Sequence, residues 1–263
     1  MAFACSWPLQ LLSVRLPPSL RRVALGVGMW APALGALAAL GRPWRAAFRD
    51  LYRPRSFAGG RRRFAIACAV LLPPAIFLVS AMLAMATGAS GWNPQRPRFG
   101  LLLAGILAGT VLSPLLNFPV SLGEELGWRG FLYPALADRW GERRALVGTG
   151  LVWGVWHAPL VVNGYNYPGH TWLAVPLMVG LTSLLNVVFV ALGRVGGSLS
   201  APTLAHGAFN GMAGLSAILL TGGDPAIIPP SGLLAWVPLA AAGILLQTVP
   251  TARRPPSTCP RGS

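Results

Sequence analysis

Charge is scarce in this chain of 263 residues. Only six residues are acidic, and all 21 basic residues are arginine, so lysine is absent. Charged residues make up 10% of the sequence, against about 25% in an ordinary soluble domain, while 54% are hydrophobic. This balance excludes an ordinary soluble domain and indicates an integral membrane protein. The lack of lysine, together with many alanines, glycines and prolines, suggests a bacterial genome of high GC content.

Cysteine is also scarce, and its placement excludes two kinds of site. The three cysteines, Cys5, Cys68 and Cys259, are scattered and form no CxxC pair. They therefore predict neither a disulfide framework nor a thiolate metal site. The sequence also lacks an internal repeat, a long linker and a phosphate-binding glycine loop. No soluble domain is expected beside the membrane domain.

Long apolar stretches dominate the sequence. A helix needs about 20 apolar residues to cross a hydrocarbon core about 30 Å thick. Stretches of suitable length occur at residues 23–41, 64–87, 99–120, 145–162, 172–192, 195–220 and 232–249. They predict an all-α fold, a polytopic helical membrane protein with about seven transmembrane helices, in a range of six to eight. We divide it into N-terminal helices with an arginine-rich loop (1–98), a core (99–221) and a last helix with an Arg/Pro tail (222–263).

Arginine is concentrated in alternate loops. Eight arginines stand between the first two spans: Arg42, Arg45, Arg49, Arg53, Arg55, Arg61, Arg62 and Arg63. The positive-inside rule places this loop in the cytoplasm, and alternation places there Arg139, Arg143, Arg144, Arg194, Arg253 and Arg254. The loops 163–170 and 221–231 contain no arginine and are predicted outside. The rule accounts for the charge without nucleic acid, so the expected surroundings are the lipid bilayer of a bacterial cytoplasmic membrane.

A few arginines run against this bias. They are Arg15, Arg21 and Arg22 near the N-terminus and Arg96 and Arg98 after the second span. The apolar run at residues 2–14 is too short to span and does not resemble a cleavable signal peptide. It is an interfacial segment or the remnant of an eighth span.

Four ionisable residues fall inside apolar stretches: Glu124, Glu125, His157 and His206. An ionisable group at bilayer depth costs a few kcal/mol on insertion scales and usually marks a functional site. These four residues therefore indicate where chemistry takes place. The stretch that carries both glutamates is too long for one straight span, so we expect a kink, or a turn into an interfacial helix, after Gly130.

Spacing separates the two adjacent glutamates. Glu125 and Arg129 are four residues apart, which places a carboxylate and a guanidinium in contact on one helix face. Glu125 is therefore expected to be neutralised. Glu124 points about 100° away around the helix and has no such partner within its own turn. This favours Glu124 as a general base.

The same spacing pairs two residues later in the chain. His206 and Asn210 present an imidazole and a carboxamide on one helix face, and both groups can donate hydrogen bonds to a developing oxyanion. Trp153 lies one turn before His157, and its ring is expected to pack beside that imidazole and shield it. His170 stands among aromatic residues in a predicted outer loop, and no catalytic role is assigned to it.

Three motifs carry a resemblance to a known family. Glu124-Glu125-Leu-Gly-Trp-Arg129, Trp153-Gly-Val-Trp-His157 and His206-Gly-Ala-Phe-Asn210 resemble EExxxR, FxxxH and HxxxN of the CPBP (CAAX protease/Abi) intramembrane proteases, which include the type II CAAX prenyl endopeptidases. The resemblance covers about residues 101–220. Trp153 departs from the pattern, because the family has phenylalanine there. We expect this change to affect pocket shape more than chemistry.

The resemblance implies a peptidase that cleaves a membrane-associated protein or peptide. Glu124 and His157 would activate a water, His206 and Asn210 would stabilise the oxyanion, and Glu125 with Arg129 would brace the site. Whether the reaction needs a divalent metal such as zinc stays open, because the family's traditional name calls it a metalloprotease. The ligands of such a metal would be Glu124, His157 and His206. We favour metal-independent catalysis, because a carboxamide beside His206 suits an oxyanion hole better than a metal shell.

Two other functions compete with the peptidase. A non-proteolytic membrane scaffold or regulator could use the same fold, although all three motifs retain their reactive residues. A transporter could use Glu124 as a proton site, but the two halves show no evident inverted repeat of interrupted helices. An all-structural interpretation, with ion pairs and interhelical hydrogen bonds only, is the remaining alternative.

Overall fold

The computed structural model describes residues 1–57, 59–93 and 99–251. The sequence-based statements on Arg96, Arg98, Arg253, Arg254 and Cys259 lie outside these ranges. Within them the chain is helical almost throughout, and the only strands are two short segments of two residues each. The prediction of an all-α polytopic membrane protein is confirmed.

Most helices begin or end at a proline, a glycine or a polar loop, as their sequences predict. They are α1 (Ala2–Ser13), α2 (Pro18–Gly28), α3 (Ala31–Leu40), α4 (Trp44–Tyr52), α5 (Arg62–Ala86), α6 (Phe99–Leu107), α7 (Ser113–Glu125), α8 (Tyr133–Trp140), α9 (Glu142–Trp156), α10 (Ala158–Val161), α11 (Thr171–Gly196), α12 (Ser200–Leu219) and α13 (Leu233–Gln247). Two π-helical segments, Ala108–Leu112 and Leu126–Leu132, flank α7. The strands β1 (Gly91–Trp92) and β2 (Leu220–Thr221) pair antiparallel, with Gly91 opposite Thr221.

Four helical stretches among the described residues are long and apolar enough to cross a membrane on their own. They are Pro18–Leu40, Arg62–Ala86, Leu103–Trp140 and Thr171–Gly196. They coincide with the first, second, third and fifth predicted spans. The other three predicted spans fall on α9 with α10, on α12 and on α13. The helices α9 and α13 have 15 residues each, which is less than a full crossing.

The long stretch that carries the glutamates departs from the expected turn. From Leu103 to Trp140 the chain stays helical for 38 residues, about 57 Å at 1.5 Å per residue. The irregularity expected after Gly130 is instead the π-helical segment Leu126–Leu132, which begins directly after the glutamates. Short π-helical segments inside α-helices are frequent at functional sites, because they rotate the following side chains.

One face of the molecule collects the predicted cytoplasmic arginines. Arg194 Nη1 donates to Glu142 Oε2 at 3.1 Å, which joins the end of α11 to the start of α9. The backbone N–H of Arg61 donates to the carbonyl of Val195 at 3.1 Å, which brings the start of α5 to the same place. We call this the arginine-rich face.

The opposite face is formed by the two loops without arginine. The Tyr167 hydroxyl donates to the carbonyl of Ser231 at 3.0 Å, and His170 Nε2 lies 2.5 Å from Asp224 Oδ1. The backbone N–H of Ala226 lowers the pKa of Asp224, and His170 acts in the same direction, while desolvation opposes them. His170 therefore has a structural contact here. We call this surface the loop face.

Small residues bring α9 and α11 into close contact. A Cβ at Gly150 would lie 2.6 Å from Ser183 Cα, and a Cβ at Gly154 would lie 2.5 Å from Val179 Cα. Thr182 Oγ1 also donates to the carbonyl of Gly150 at 3.0 Å. Glycines four residues apart allow membrane helices to approach this closely. The contact places Trp153, between the two glycines, against α11.

The helices α7 and α12 approach each other in the same way. A Cβ at Gly207 would lie 3.0 Å from the carbonyl oxygen of Pro114, and Gly211 lies against Ser113. Ser113 Oγ donates to the carbonyl of Gly207 at 3.1 Å. This close packing brings the helix of the glutamates next to the helix of His206.

The α9–α11 contact generates a stability prediction. Gly154→Ala adds a methyl group where backbone atoms leave no room, so we expect the free energy of unfolding to fall by about 1–3 kcal/mol. Gly214→Ala in α12 is the matched control, because no atom lies within 4 Å of its Cβ position. Thermal unfolding in detergent measures both. A Gly154→Ala protein as stable as the Gly214→Ala protein would contradict the close packing.

Candidate active site

Glycines on both sides of the glutamates allow α3 and the end of α2 to cover them. A Cβ at Gly123 would lie 2.6 Å from the carbonyl oxygen of Met29, and a Cβ at Gly127 would lie 2.3 Å from Pro32 Cβ. As a result Glu124 is 2% exposed and Glu125 is fully buried. Both carboxylates therefore depend on protein partners rather than on water.

Glu124 has two indole partners, which the sequence did not indicate. Trp128 Nε1, four residues later, donates to Oε2 at 3.2 Å, and Trp153 Nε1 from α9 donates to the same oxygen at 2.5 Å. None of the described residues donates a hydrogen bond to Oε1. One oxygen is thus held in place, and the other is available to a reactant.

Trp153 contributes more than the expected aromatic wall. Its ring centroid lies 5.9 Å from that of His157 and 5.4 Å from that of His206, so it packs against both imidazoles. Its indole N–H binds Glu124 at the same time. A phenylalanine has no such donor. Trp153 therefore gives the site a hydrogen-bond donor as well as an aromatic ring, while its effect on chemistry stays a prediction.

The ion pair predicted between Glu125 and Arg129 is present. Arg129 Nη1 donates to Glu125 Oε1 at 3.0 Å, and both side chains are fully buried. The guanidinium carbon also lies 3.9 Å from the centroid of Trp153 and 5.0 Å from that of Phe189. These aromatic faces attract the cation where water is excluded.

Glu125 has a second partner that the spacing did not indicate. His206 Nδ1 lies 2.8 Å from Glu125 Oε1. Because a carboxylate paired with arginine can only accept, the imidazole carries its proton on Nδ1. Nε2 of His206 is then the ring nitrogen directed away from Glu125.

His157 has an equivalent arrangement with a backbone group. Its Nδ1 lies 2.9 Å from the carbonyl oxygen of Trp153. Since a carbonyl can only accept, Nδ1 is the protonated nitrogen, and Nε2 of the neutral ring is an acceptor. Both histidines therefore have a fixed tautomer with Nε2 free of these contacts.

One cavity unites the four residues predicted to be catalytic. Glu124, His157, His206 and Asn210 all border a space of about 470 Å³, together with Trp153. Glu125 and Arg129 do not border it and lie behind this wall. The division into reactive and bracing residues thus matches their positions, while their chemical roles stay predictions.

The cavity extends to the loop face. Tyr165, Asn166 and Ser231, from the two loops without arginine, are part of its wall. The arginine-rich face lies at the other end of the helices. Tyr165 is exposed, so the cavity has a polar end on this side of the molecule.

Comparison with known proteins agrees with the three motifs. Residues 101–212 match the family model of "Type II CAAX prenyl endopeptidase Rce1-like" proteins. This part of the chain is therefore similar to the Rce1-like proteins. The resemblance stated from the motifs is thereby confirmed. The Rce1-like segment includes all three motifs, while α1 and α2 precede it.

A curated relative aligns with this chain over nearly the same number of residues as the family model. "CAAX prenyl protease 2" of Methanococcus maripaludis is 34% identical over 107 residues, which is 37% of this chain. The match spans 35% of the relative's length, so the likeness is restricted to about a third of each protein.

The described residues do not fit the zinc site that the sequence leaves open. Within them no group of three His, Cys, Asp or Glu side chains is placed to hold a metal ion. Glu124, His157 and His206 therefore do not form the three-ligand set typical of catalytic zinc.

Several cavity or site residues were not found from the sequence, among them Trp128, Gln10 and Arg22. Trp128 stands four residues after Glu124, so the helical spacing used for Arg129 could have indicated it. Gln10 and Arg22, from α1 and α2, also border the cavity. No sequence signal connects them to the motifs, because their position depends on how the N-terminal helices pack.

The buried pair generates a second stability prediction. Glu125→Gln leaves the guanidinium of Arg129 buried without its counter-charge, so we expect a loss of about 3–5 kcal/mol in unfolding free energy. The double variant Glu125→Gln/Arg129→Met removes the uncompensated charge and should recover most of this loss. Thermal unfolding in detergent compares the two. Equal losses in the single and double variants would exclude the ion pair as the cause.

Proposed function

We propose that this protein is an intramembrane endopeptidase that hydrolyses a peptide bond of a membrane-associated protein or peptide. The observation that carries the proposal is the single cavity bordered by a carboxylate, two oriented imidazoles and a carboxamide. The match of residues 101–212 to the Rce1-like family model supports a peptidase, as does the name of the archaeal relative. All these groups lie in a largely apolar helical environment, which supports a substrate taken from the membrane.

The first step assigned to the site is activation of water by Glu124. Its Oε2 is held by Trp128 and Trp153, so Oε1 is directed to accept the proton of a water molecule. The hydroxide attacks the peptide carbonyl and forms a new C–O bond. Glu124 then passes the proton to the leaving nitrogen as the C–N bond breaks, which yields a carboxylate and an amine.

His157 is assigned the task of orienting the water. Its Nδ1 is fixed on the carbonyl of Trp153, so Nε2 can accept a second hydrogen bond from the same water. A water held by two acceptors has a lone pair directed at the substrate. Positioning of this kind lowers the barrier, because the reactants meet in the right geometry.

His206 and Asn210 are assigned to the oxyanion. The Asn210 amide can donate directly, while His206 donates from Nε2 when its ring holds a second proton. Donors aimed at a developing oxyanion contribute about 3–4 kcal/mol each where water is excluded.

The direction of access follows from the two faces. If the arginine-rich face lies in the cytoplasm of a bacterial cell, as the positive-inside rule predicts, the cavity reaches the outer side of the cytoplasmic membrane. This arrangement supports a substrate such as a small secreted peptide or a membrane regulator. No step of the proposed reaction passes through a metal.

A cleavage assay tests the proposal. The purified protein in liposomes is given a quenched peptide library, and Glu124→Gln keeps the shape of the side chain but removes the base. We expect activity to fall by about 10²- to 10⁴-fold without a loss of thermal stability. Added chelator should leave the rate unchanged, whereas a loss restored by zinc would establish a metal mechanism. A folded wild-type protein that cuts nothing would favour the scaffold or regulator.

The indole donor to Glu124 can be tested separately. Trp153→Phe keeps an aromatic ring but removes the N–H, so we expect kcat to fall about tenfold or more, because a hydrogen bond to a charged group is lost. Trp156→Phe is the matched control. Trp156 is equally buried and borders the cavity, but its Nε1 has no partner among the described residues. Equal kcat values for the two variants would exclude the hydrogen bond as the cause.

A further inference from the structure

The short helix α4 has a buried side and a charged side. Ala47 and Leu51 are 0% and 2% exposed. A Cβ at Gly130 would lie 2.7 Å from the carbonyl oxygen of Leu51, so this side of α4 packs on the π-helical segment Leu126–Leu132. Arg45 and Arg49 each stand two residues before one of the buried residues, which places them about 160° away around the helix. Both arginines are exposed.

Aromatic residues separate the buried side of α4 from its arginines. Trp44 is 66% exposed, and the guanidinium carbon of Arg45 lies 5.3 Å from the centroid of its ring. Phe48, one turn later, stacks on Tyr52 with the ring centroids 6.0 Å apart. A helix with an arginine side and an aromatic side is typical of helices that lie in the membrane interface. Tryptophan is enriched at the level of the lipid headgroups.

The arginines of this part of the chain have few counter-charges in the protein. Residues 42–63 contain eight arginines and a single acid, Asp50. All eight arginines are exposed. Within the described residues, only Arg42 and Arg49 of these eight form ion pairs, and both contact Asp50, at 3.0 and 3.6 Å. Arg45 and Arg49 are also four residues apart on one helix, where like charges repel. The surface is therefore complementary to anions.

The position of α4 in the chain indicates which anions meet it. Residues 41–61 join two of the stretches that are long enough to cross a membrane, Pro18–Leu40 and Arg62–Ala86. The arginines therefore stand at the level where a bilayer presents its phosphates. Clusters of basic residues beside a membrane span or on an amphipathic helix attract anionic phospholipids. A guanidinium can bind a phosphate group with two parallel hydrogen bonds.

The buried side of α4 is connected to both partners of Glu125. Gly130, which contacts Leu51, directly follows Arg129 in the chain. The carbonyl of Tyr52 accepts from the backbone N–H of Leu199 at 3.0 Å, and its hydroxyl lies 2.8 Å from Ser200 Oγ at the start of α12, the helix of His206. A helix of nine residues is marginal on its own. Its position therefore depends on these contacts and on what binds its outer side.

We propose that the outer side of α4, together with the arginines that follow it, binds the headgroups of anionic phospholipids. The lipid phosphates supply the counter-charges that the protein lacks there, and so hold α4 against the π-helical segment and the start of α12. The bilayer composition thereby acts on the groups that position Arg129 and His206. The effect on catalysis rests on the proposed peptidase function, whereas the binding of lipid does not.

Trp44 is a local reporter for the lipid beside α4. The protein is reconstituted in phosphatidylcholine that contains a minor fraction of either brominated phosphatidylglycerol or brominated phosphatidylcholine, since bromine quenches tryptophan fluorescence. The difference between wild type and Trp44→Phe isolates the signal of Trp44. We expect phosphatidylglycerol to be preferred beside Trp44 by about fivefold for each arginine that binds a headgroup. High salt should reduce the preference, because it screens exposed charges.

Paired variants locate the preference on α4. Arg45→Gln/Arg49→Gln should lower it about fivefold or more. Arg143→Gln/Arg144→Gln removes the same charge from exposed residues of α9 on the arginine-rich face, and it should keep the preference. Equal quenching of wild type by both brominated lipids would overturn the lipid surface. An equal loss in the two double variants would overturn its assignment to α4.

A soluble competitor distinguishes lipid from other polyanions. Polyphosphate at a matched concentration of phosphate groups should leave the preference for phosphatidylglycerol in place, because it does not enter the interface where Trp44 and Phe48 lie. Complete displacement of the lipid signal by polyphosphate would identify a general polyanion surface and would overturn the lipid assignment.

The connection to the site has its own measurement. A peptide cleaved in the library assay is compared in liposomes with and without phosphatidylglycerol, and we expect kcat of wild type to rise about fivefold with the anionic lipid, as is typical of coupled sites. Arg45→Gln/Arg49→Gln should give the same kcat in both lipids. An equal rise in wild type and in this variant would overturn the connection.

Thermal unfolding tests the connection without any cleavage. Phosphatidylglycerol should raise the Tm of wild type more than that of Arg45→Gln/Arg49→Gln, because a ligand that binds the folded state stabilises it. An equal rise in both proteins would contradict the binding at α4. If wild type cleaves no peptide in either lipid, the proposed function fails, while the quenching and the Tm values still decide the lipid surface.

Discussion

The buried carboxylate of Glu125 is the contact on which the arrangement of the site depends. Its Oε1 accepts from Arg129 on its own helix and from His206 on α12, a residue 81 positions later. The carboxylate thereby neutralises a buried guanidinium and fixes the tautomer of an imidazole. Removing it would leave a buried charge without compensation, which is among the most costly changes in a protein interior.

The contacts of Arg129 extend this arrangement to the other reactive group. Its guanidinium lies over the ring of Trp153, and the indole N–H of Trp153 binds Glu124. The backbone carbonyl of the same tryptophan orients His157. The two glutamates are adjacent in sequence but differ in their position relative to the cavity. Glu125 lies behind the cavity wall and contacts only protein groups. Glu124 borders the cavity, and one of its carboxylate oxygens is available to a reactant. This division explains how adjacent carboxylates can brace a site and react in it.

Close helix packing makes these contacts possible. Glycines in the glutamate helix, in α9 and in α12 allow neighbouring helices to approach to backbone distance. In a membrane, where water does not drive helices together, such packing and interhelical hydrogen bonds supply much of the association. The Rce1-like segment contains the proposed reactive groups, whereas α1 and α2 bring Gln10 and Arg22 to the same cavity from outside that segment.

The sequence by itself determined the membrane class, the helical fold and the contact between Glu125 and Arg129. These features depend on composition and on the period of the helix, both of which are local. It also identified Glu124, His157 and His206, because ionisable groups are rare in apolar stretches and therefore stand out, and it identified Asn210 from its spacing to His206. Only the tertiary structure decided that His206 contacts Glu125, that the Trp153 indole binds Glu124, and that Gln10 and Arg22 complete the wall. Those contacts join residues on different helices. Which residues meet depends on how glycines set the spacing and rotation of neighbouring helices. The periodicity along one helix does not encode this arrangement.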